Sequence, residues 1–173
     1  MLLAEPAAAQ SIWAPSSMFL QTGRAQDTDT LGAGLSWDWD ERWMLGPGLL
    51  TAYLEAWIAN WRYDPAGSDS RRSLTQAGLT PALRWRLDGG ASPWFLDVGV
   101  GLSFSSVLYQ TEGKSFSSRF NFGTHLGVGR NFGPLREHEL TLRIEHFSNA
   151  GIKEPNPGAN FVQLRYAYRF SGP

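Results

Sequence analysis

From residue 12 to residue 170 the chain alternates between apolar and small or polar residues in eight stretches: 12–22, 30–39, 49–62, 72–87, 94–105, 116–131, 139–149 and 160–170. A side-chain period of two belongs to β-strands, whose successive Cβ atoms point to opposite faces. Turn formers separate the stretches, as at Asp64-Pro65-Ala66-Gly67, Asp88-Gly89-Gly90, Gly133-Pro134 and Asn156-Pro157-Gly158. No helical period competes with the alternation, and no apolar run approaches the ~18–20 residues of a membrane helix. The pattern predicts an all-β fold, a single eight-stranded antiparallel barrel over residues 11–173.

Two kinds of barrel share this alternation, and their faces differ in size. In the fifth stretch Trp94, Leu96, Val98, Val100, Leu102 and Phe104 alternate with Asp97, Gly99, Gly101 and Ser103. In the sixth, Phe120, Phe122, Leu126 and Val128 alternate with Asn121, Gly123, His125 and Gly127. The third sets Leu50, Ala52, Leu54, Ala56 and Ile58 against Thr51, Tyr53, Glu55 and Trp57, and the last sets Val162, Leu164, Tyr166, Tyr168 and Phe170 against Gln163, Arg165 and Arg169. A soluble, lipocalin-like barrel would turn the bulky faces inward. With 8 Trp and 10 Phe among 173 residues, the interior of eight strands is too small for that arrangement. The 19 glycines suit a crowded lumen instead, so the bulky faces are expected to meet lipid, making the barrel transmembrane. Lumen charges of both signs (Asp38, Glu55, Asp97 and Glu145 against Arg84, Arg86, Arg143, Arg165 and Arg169) can pair, which argues against an open pore. Phe170 near the C-terminus resembles the closing strand of outer-membrane barrels, although Ser171-Gly172-Pro173 follow it.

Bulk properties narrow the function. A net charge of −1 leaves no electrostatic footprint for nucleic acid. With no cysteine and three scattered histidines, thiolate chemistry is excluded, a metal site is not expected, and no cofactor is implied. Residues 1–10, ending in Ala7-Ala8-Ala9, read as a signal-peptide remnant or a disordered N-terminus, which suggests export.

The segment that carries chemistry is Glu145-His146-Phe147-Ser148-Asn149-Ala150-Gly151, followed by Lys153, Pro155, Asn156 and Asn160. Leu140, Leu142, Ile144, His146 and Ser148 share the face assigned to lipid. An imidazole and a hydroxyl on such a face are costly unless they serve a reaction. Residues i and i+2 on a strand lie ~6.5–7 Å apart, close enough for leaning side chains to meet, and a serine becomes nucleophilic when a neighbouring base takes its proton. Asn160 has the lipid-facing parity on the eighth stretch, across the hairpin from His146, where its amide oxygen can accept the ring N–H. The N–H groups around Gly151, or the amides of Asn149 and Asn156, are the candidate oxyanion donors. His125, of opposite parity, is expected as a hydrogen-bonded lumen histidine, His138 as a solvated turn residue, and Glu145 as the partner of a lumen arginine. In Leu35-Ser36-Trp37-Asp38-Trp39-Asp40 the tryptophans read as interfacial anchors and Asp38 as a lumen charge.

His146-Phe147-Ser148-Asn149-Ala150-Gly151-Ile152-Lys153 with Pro155-Asn156, together with Leu35 to Asp40, resembles the PagL family of lipid A 3-O-deacylases. The resemblance implies an outer-membrane barrel that removes the ester-linked acyl chain at position 3 of lipid A without a metal. It maps the family's His and Ser onto His146 and Ser148, and its oxyanion groups onto Gly151 and Asn156. The family's acid is a Glu where this sequence has Asn160. Outer-membrane phospholipase A, a larger calcium-dependent dimer, also resembles the arrangement, with His-x-Ser-Asn-Gly and a triad Asn. The expected substrate is therefore lipid A or lipopolysaccharide at the outer leaflet, with a homodimer left open. The alternatives are a calcium-dependent phospholipase-like esterase, a non-catalytic structural barrel, and a soluble ligand-binding barrel.

Overall fold

In a computed structural model, which describes residues 14–68 and 70–170, eight strands pair in chain order and close on themselves. They are β1 (Ser17–Ala25), β2 (Thr28–Leu45), β3 (Gly48–Tyr63), β4 (Arg72–Arg86), β5 (Trp94–Ser105), β6 (Phe120–Phe132), β7 (His138–Ser148) and β8 (Ala159–Arg169). All neighbours are antiparallel, and β1 closes on β8 from Ser17↔Arg169 to Arg24↔Val162. Closure leaves no unpaired sheet edge, which a strand crossing lipid requires. Residues 1–10, read above as a signal remnant, lie outside the described residues.

The two barrel ends differ. One carries the start of β1, the end of β8 and the connections at 46–47, 87–93 and 133–137, and is called the turn end. The other carries 26–27, 64–71, 106–119 and 149–158, and is called the site end.

The bulky alternating residues face outward. Leu20, Leu31, Ile58, Leu126 and Ile144 are each more than half exposed. The soluble-barrel reading fails here, because such a wall is stable only against an apolar surround. Inside, side chains fill the lumen in layers. Toward the turn end Arg84 is held by Asp97 (2.8 Å) and Glu139 (2.5 Å). In the middle, Glu55 takes both Arg143 (2.9 Å) and Arg165, and the Tyr53 hydroxyl accepts from Arg143. Toward the site end Trp61, Tyr63, Tyr109, Phe116, Phe147 and Phe161 form a buried aromatic plug. Burial there pushes the Tyr109 hydroxyl above its ordinary pKa, and it shares a 2.7 Å hydrogen bond with Thr28. Lumen glycines make room for this filling: a Cβ on Gly129 would lie 2.2 Å from the Phe95 ring.

Three strands depart most from the bounds the sequence predicts. β2 runs on to Leu45, because a register shift between Asp38 and Arg42 lets it keep pairing until the Gly46 turn, where φ is +59°. β1 begins at Ser17 and continues to Ala25. β6 begins at Phe120, not 116, because Phe116 turns inward to pack on Tyr109 (ring centroids 5.2 Å) and ends the alternation. His125 is buried in the lumen as expected, but neither ring nitrogen has a hydrogen-bond partner among the described residues. Glu145 points inward beside Gln163 and Arg143, with no arginine at ion-pair distance among the described residues. His138 opens β7 instead of lying in a turn; it bonds the Tyr166 hydroxyl at 2.7 Å and stacks on Phe132.

Candidate active site

Strand parity sets the site. On β7, Glu145 and Phe147 are buried in the lumen, so His146 and Ser148 must face outward. Phe147 fixes this stretch from inside: its ring meets Trp57 (6.0 Å), Trp61 (5.2 Å) and Phe161 (6.0 Å). The register of β7 on β8 places His146 directly opposite Asn160. Their side chains meet on the outer wall, with Nδ1 of His146 2.6 Å from Oδ1 of Asn160. An amide oxygen can only accept, so Nδ1 carries the proton and Nε2 is left as a free base.

Ser148 is half-buried at the end of β7, and its cross-strand neighbour is Phe122, which packs on Phe120 at 5.3 Å. Among the described residues its hydroxyl makes no hydrogen bond to the imidazole. The sequence reading placed the three side chains on one face; the structure joins two of them directly and sets the third beside them.

After Ser148 the chain reverses tightly. Ala150 (φ +56°) and Gly151 (φ +78°) both adopt left-handed backbone, and Ile152 N–H donates to the Asn149 carbonyl at 3.1 Å. Asn149 holds the loop together: its amide donates to Lys153 O (2.7 Å) and Ser117 Oγ (3.1 Å), and its Oδ1 accepts from Gly151 N–H (3.0 Å). Two of the expected oxyanion donors, the Asn149 amide and the Gly151 N–H, are therefore engaged within the loop. Asn156 differs. Its Oδ1 accepts from Asn149 N–H (3.0 Å), which leaves its NH2 group without a partner among the described residues.

Three contributors escaped the sequence reading. Ser117 Oγ donates to Lys153 O (2.7 Å) and Lys114 Nζ to Gly158 O (3.0 Å), so the β5–β6 loop braces the site loop. Ser117 had been read as part of strand six, and no local signal marks either residue. Gly158, read only as a turn former, lies against His146: a Cβ there would be 2.6 Å from Cε1 and 3.2 Å from Nε2. No cluster of three or more His, Cys, Asp or Glu residues is arranged to hold a metal among the described residues.

A closed eight-stranded barrel, apolar outside and ion-paired inside, defines the outer-membrane β-barrel class, here with a His–Asn pair and a serine set into the apolar wall. The chain belongs to the PagL family: the family profile described as lipid A 3-O-deacylase (PagL) matches residues 29–169. A lipid A deacylase PagL of Bordetella bronchiseptica is 41% identical over 105 residues, covering 60% of this chain and 55% of that protein's length. A lipid A deacylase PagL of Pseudomonas aeruginosa is 30% identical over 139 residues, covering 79% of this chain and 76% of that protein. A crystal structure of the outer membrane enzyme PagL superposes with a TM-score of 0.75 at 27% identity, covering 89% of this chain and 99% of that one.

Proposed function

We propose that this chain is a serine esterase of the outer membrane that removes the ester-linked 3-hydroxyacyl chain from position 3 of lipid A. The observation that carries the reading is the His146–Asn160 hydrogen bond on the apolar wall, beside Ser148 on the same face. Family membership supplies the substrate class.

Ser148 Oγ attacks the ester carbonyl while His146 Nε2 takes its proton. Hydrogen bonds between nucleophile and base are often long without substrate and tighten in the Michaelis complex. The tetrahedral oxyanion is held by the Asn156 amide, the candidate donor with free N–H groups. Collapse breaks the acyl C–O bond, and the imidazolium returns its proton to the departing sugar oxygen. Water, activated by His146, then splits the acyl-serine and releases a 3-hydroxy fatty acid. Asn160 acts through His146, holding the ring with Nε2 turned to the reaction.

Barrel convention puts short turns and both termini in the periplasm. The short connections at 46–47 and 133–137 lie at the end where β1 begins and β8 finishes, which supports a site at the outer leaflet. The outer leaflet would present substrate with its ester at the headgroup boundary and its acyl chains alongside the apolar wall.

Fatty-acid release from lipid A and from glycerophospholipid, each with and without EDTA, tests the assignment. Release from lipid A that EDTA leaves unchanged is expected. Release from phospholipid alone, lost with EDTA, would replace this reading with the calcium-dependent phospholipase.

A further inference from the structure

The lumen is not filled to the turn end. A cavity of about 170 Å³ opens there, at the opposite end of the barrel from His146, and its lining includes Arg42, Arg84, Arg86, Arg136, Arg169 and Asp38. The charges do not balance. Asp38 answers Arg169, and Asp97 with Glu139 answers Arg84. Arg42, Arg86 and Arg136 have no carboxylate at ion-pair distance among the described residues.

Of these cations, Arg86 is held in place by its side chain and Arg136 by its backbone. The Arg86 guanidinium donates to Asn131 Oδ1 at 2.6 Å and lies 4.6 Å over the Phe95 ring. Its protein partners are all neutral, since its two other contacts are the carbonyls of Ser92 and Pro93. The Asn131 amide in turn donates to the Arg136 carbonyl (3.0 Å), fixing a residue whose φ is +55°. The Nε of Arg169 is buried without an acceptor among the described residues. Arg86 and Arg136 are half-buried and Arg42 is exposed at the mouth. Unpaired guanidinium groups lining one partly enclosed space favour an anion, and planar forks suit a tetrahedral oxyanion better than a point charge.

We propose that this cavity binds a phosphate-type oxyanion, with Arg42, Arg86 and Arg136 as its charge partners. The shared chemistry is a phosphate group, either free or carried on a lipid headgroup at that side of the membrane. The site lies apart from the esterase site and does not depend on it.

Calorimetric titration of the barrel in an uncharged maltoside detergent with inorganic phosphate tests the proposal, using wild type, Arg86→Gln and Arg136→Gln. One-to-one binding is expected, weakened at least tenfold in each variant, with all three proteins keeping the heat-modifiable mobility of a folded barrel. Arg136, in the 133–137 connection, can be replaced without entering the packed lumen, so at least one variant reports on binding alone. Doping the micelles with phosphatidylglycerol separates the sources: displacement of phosphate identifies a lipid headgroup, and no displacement identifies the free anion. Phosphate that produces no more heat than chloride at equal ionic strength would overturn the proposal. Folded variants that bind as tightly as wild type would do the same.

Discussion

At the scale of single residues, the site turns on what an amide can and cannot do for an imidazole. Asn160 Oδ1 accepts the Nδ1–H of His146 and selects the tautomer with a basic Nε2. It carries no charge, so in the proposed reaction it would orient the imidazolium without neutralising it. Asn160→Ala is therefore expected to lower kcat by about ten- to a hundredfold, through loss of orientation worth ~1.4–2.7 kcal/mol. Asn160→Glu places a carboxylate at this position and is expected to raise kcat by roughly tenfold, an effect of ~1.4 kcal/mol. Initial rates on lipid A at saturating substrate check both; a rate for Asn160→Ala equal to wild type would remove Asn160 from the site. The placement of Asn160 was legible from sequence because strand parity is strict: one count of alternation put His146, Ser148 and Asn160 on a common face. Which of the candidate oxyanion donors keeps free N–H groups was not. Choosing among Asn149, Gly151 and Asn156 depends on which N–H groups the loop uses for itself, a fact about folded geometry that no local pattern records.

Strands and loops divide the labour of holding that geometry. β7 is anchored from within by Phe147, whose ring is clamped by the aromatic plug while the residues on either side face lipid. The site loop depends on a neighbour far away in sequence, through Ser117 to Lys153 O and Lys114 to Gly158 O. Sequence reading located the strands well because alternation is local, and erred where a tertiary contact overrode it, as at Phe116. Gly158 is the clearest consequence at this scale. It needs a left-handed backbone (φ +64°) and leaves no room for a Cβ beside His146. Gly158→Ala is expected to displace the imidazole and cut kcat/KM by roughly a hundredfold, about 2.7 kcal/mol of transition-state stabilisation. The variant should still fold, because the change lies in a loop; activity measured alongside heat-modified gel mobility distinguishes the two effects.

For the whole molecule, the lumen decides stability and the wall decides location. Glu55 is the hub of the central ion network, taking Arg143 and Arg165 together in a space closed to solvent. Removing it strands the buried Arg165 and leaves Arg143 only Asp97 at 3.5 Å, so Glu55→Ala is expected to destabilise the barrel by ~3–5 kcal/mol. Urea unfolding in detergent, followed by tryptophan fluorescence, would show the midpoint shift. An unchanged midpoint would mean that the two arginines find other partners. Opposite charges at inward parity were visible in sequence, but their pairing was not, because partners such as Arg84 and Glu139 come from strands that are not neighbours in the sheet.

The central claim is that Ser148, served by His146, cleaves the ester at position 3 of lipid A. Mass spectrometry of lipid A incubated with folded wild type and with folded Ser148→Ala measures this directly. Wild type is expected to remove the mass of one 3-hydroxyacyl chain, and Ser148→Ala to leave the lipid unchanged. Intact lipid A after incubation with folded wild type, or the same loss of mass with Ser148→Ala, would contradict it.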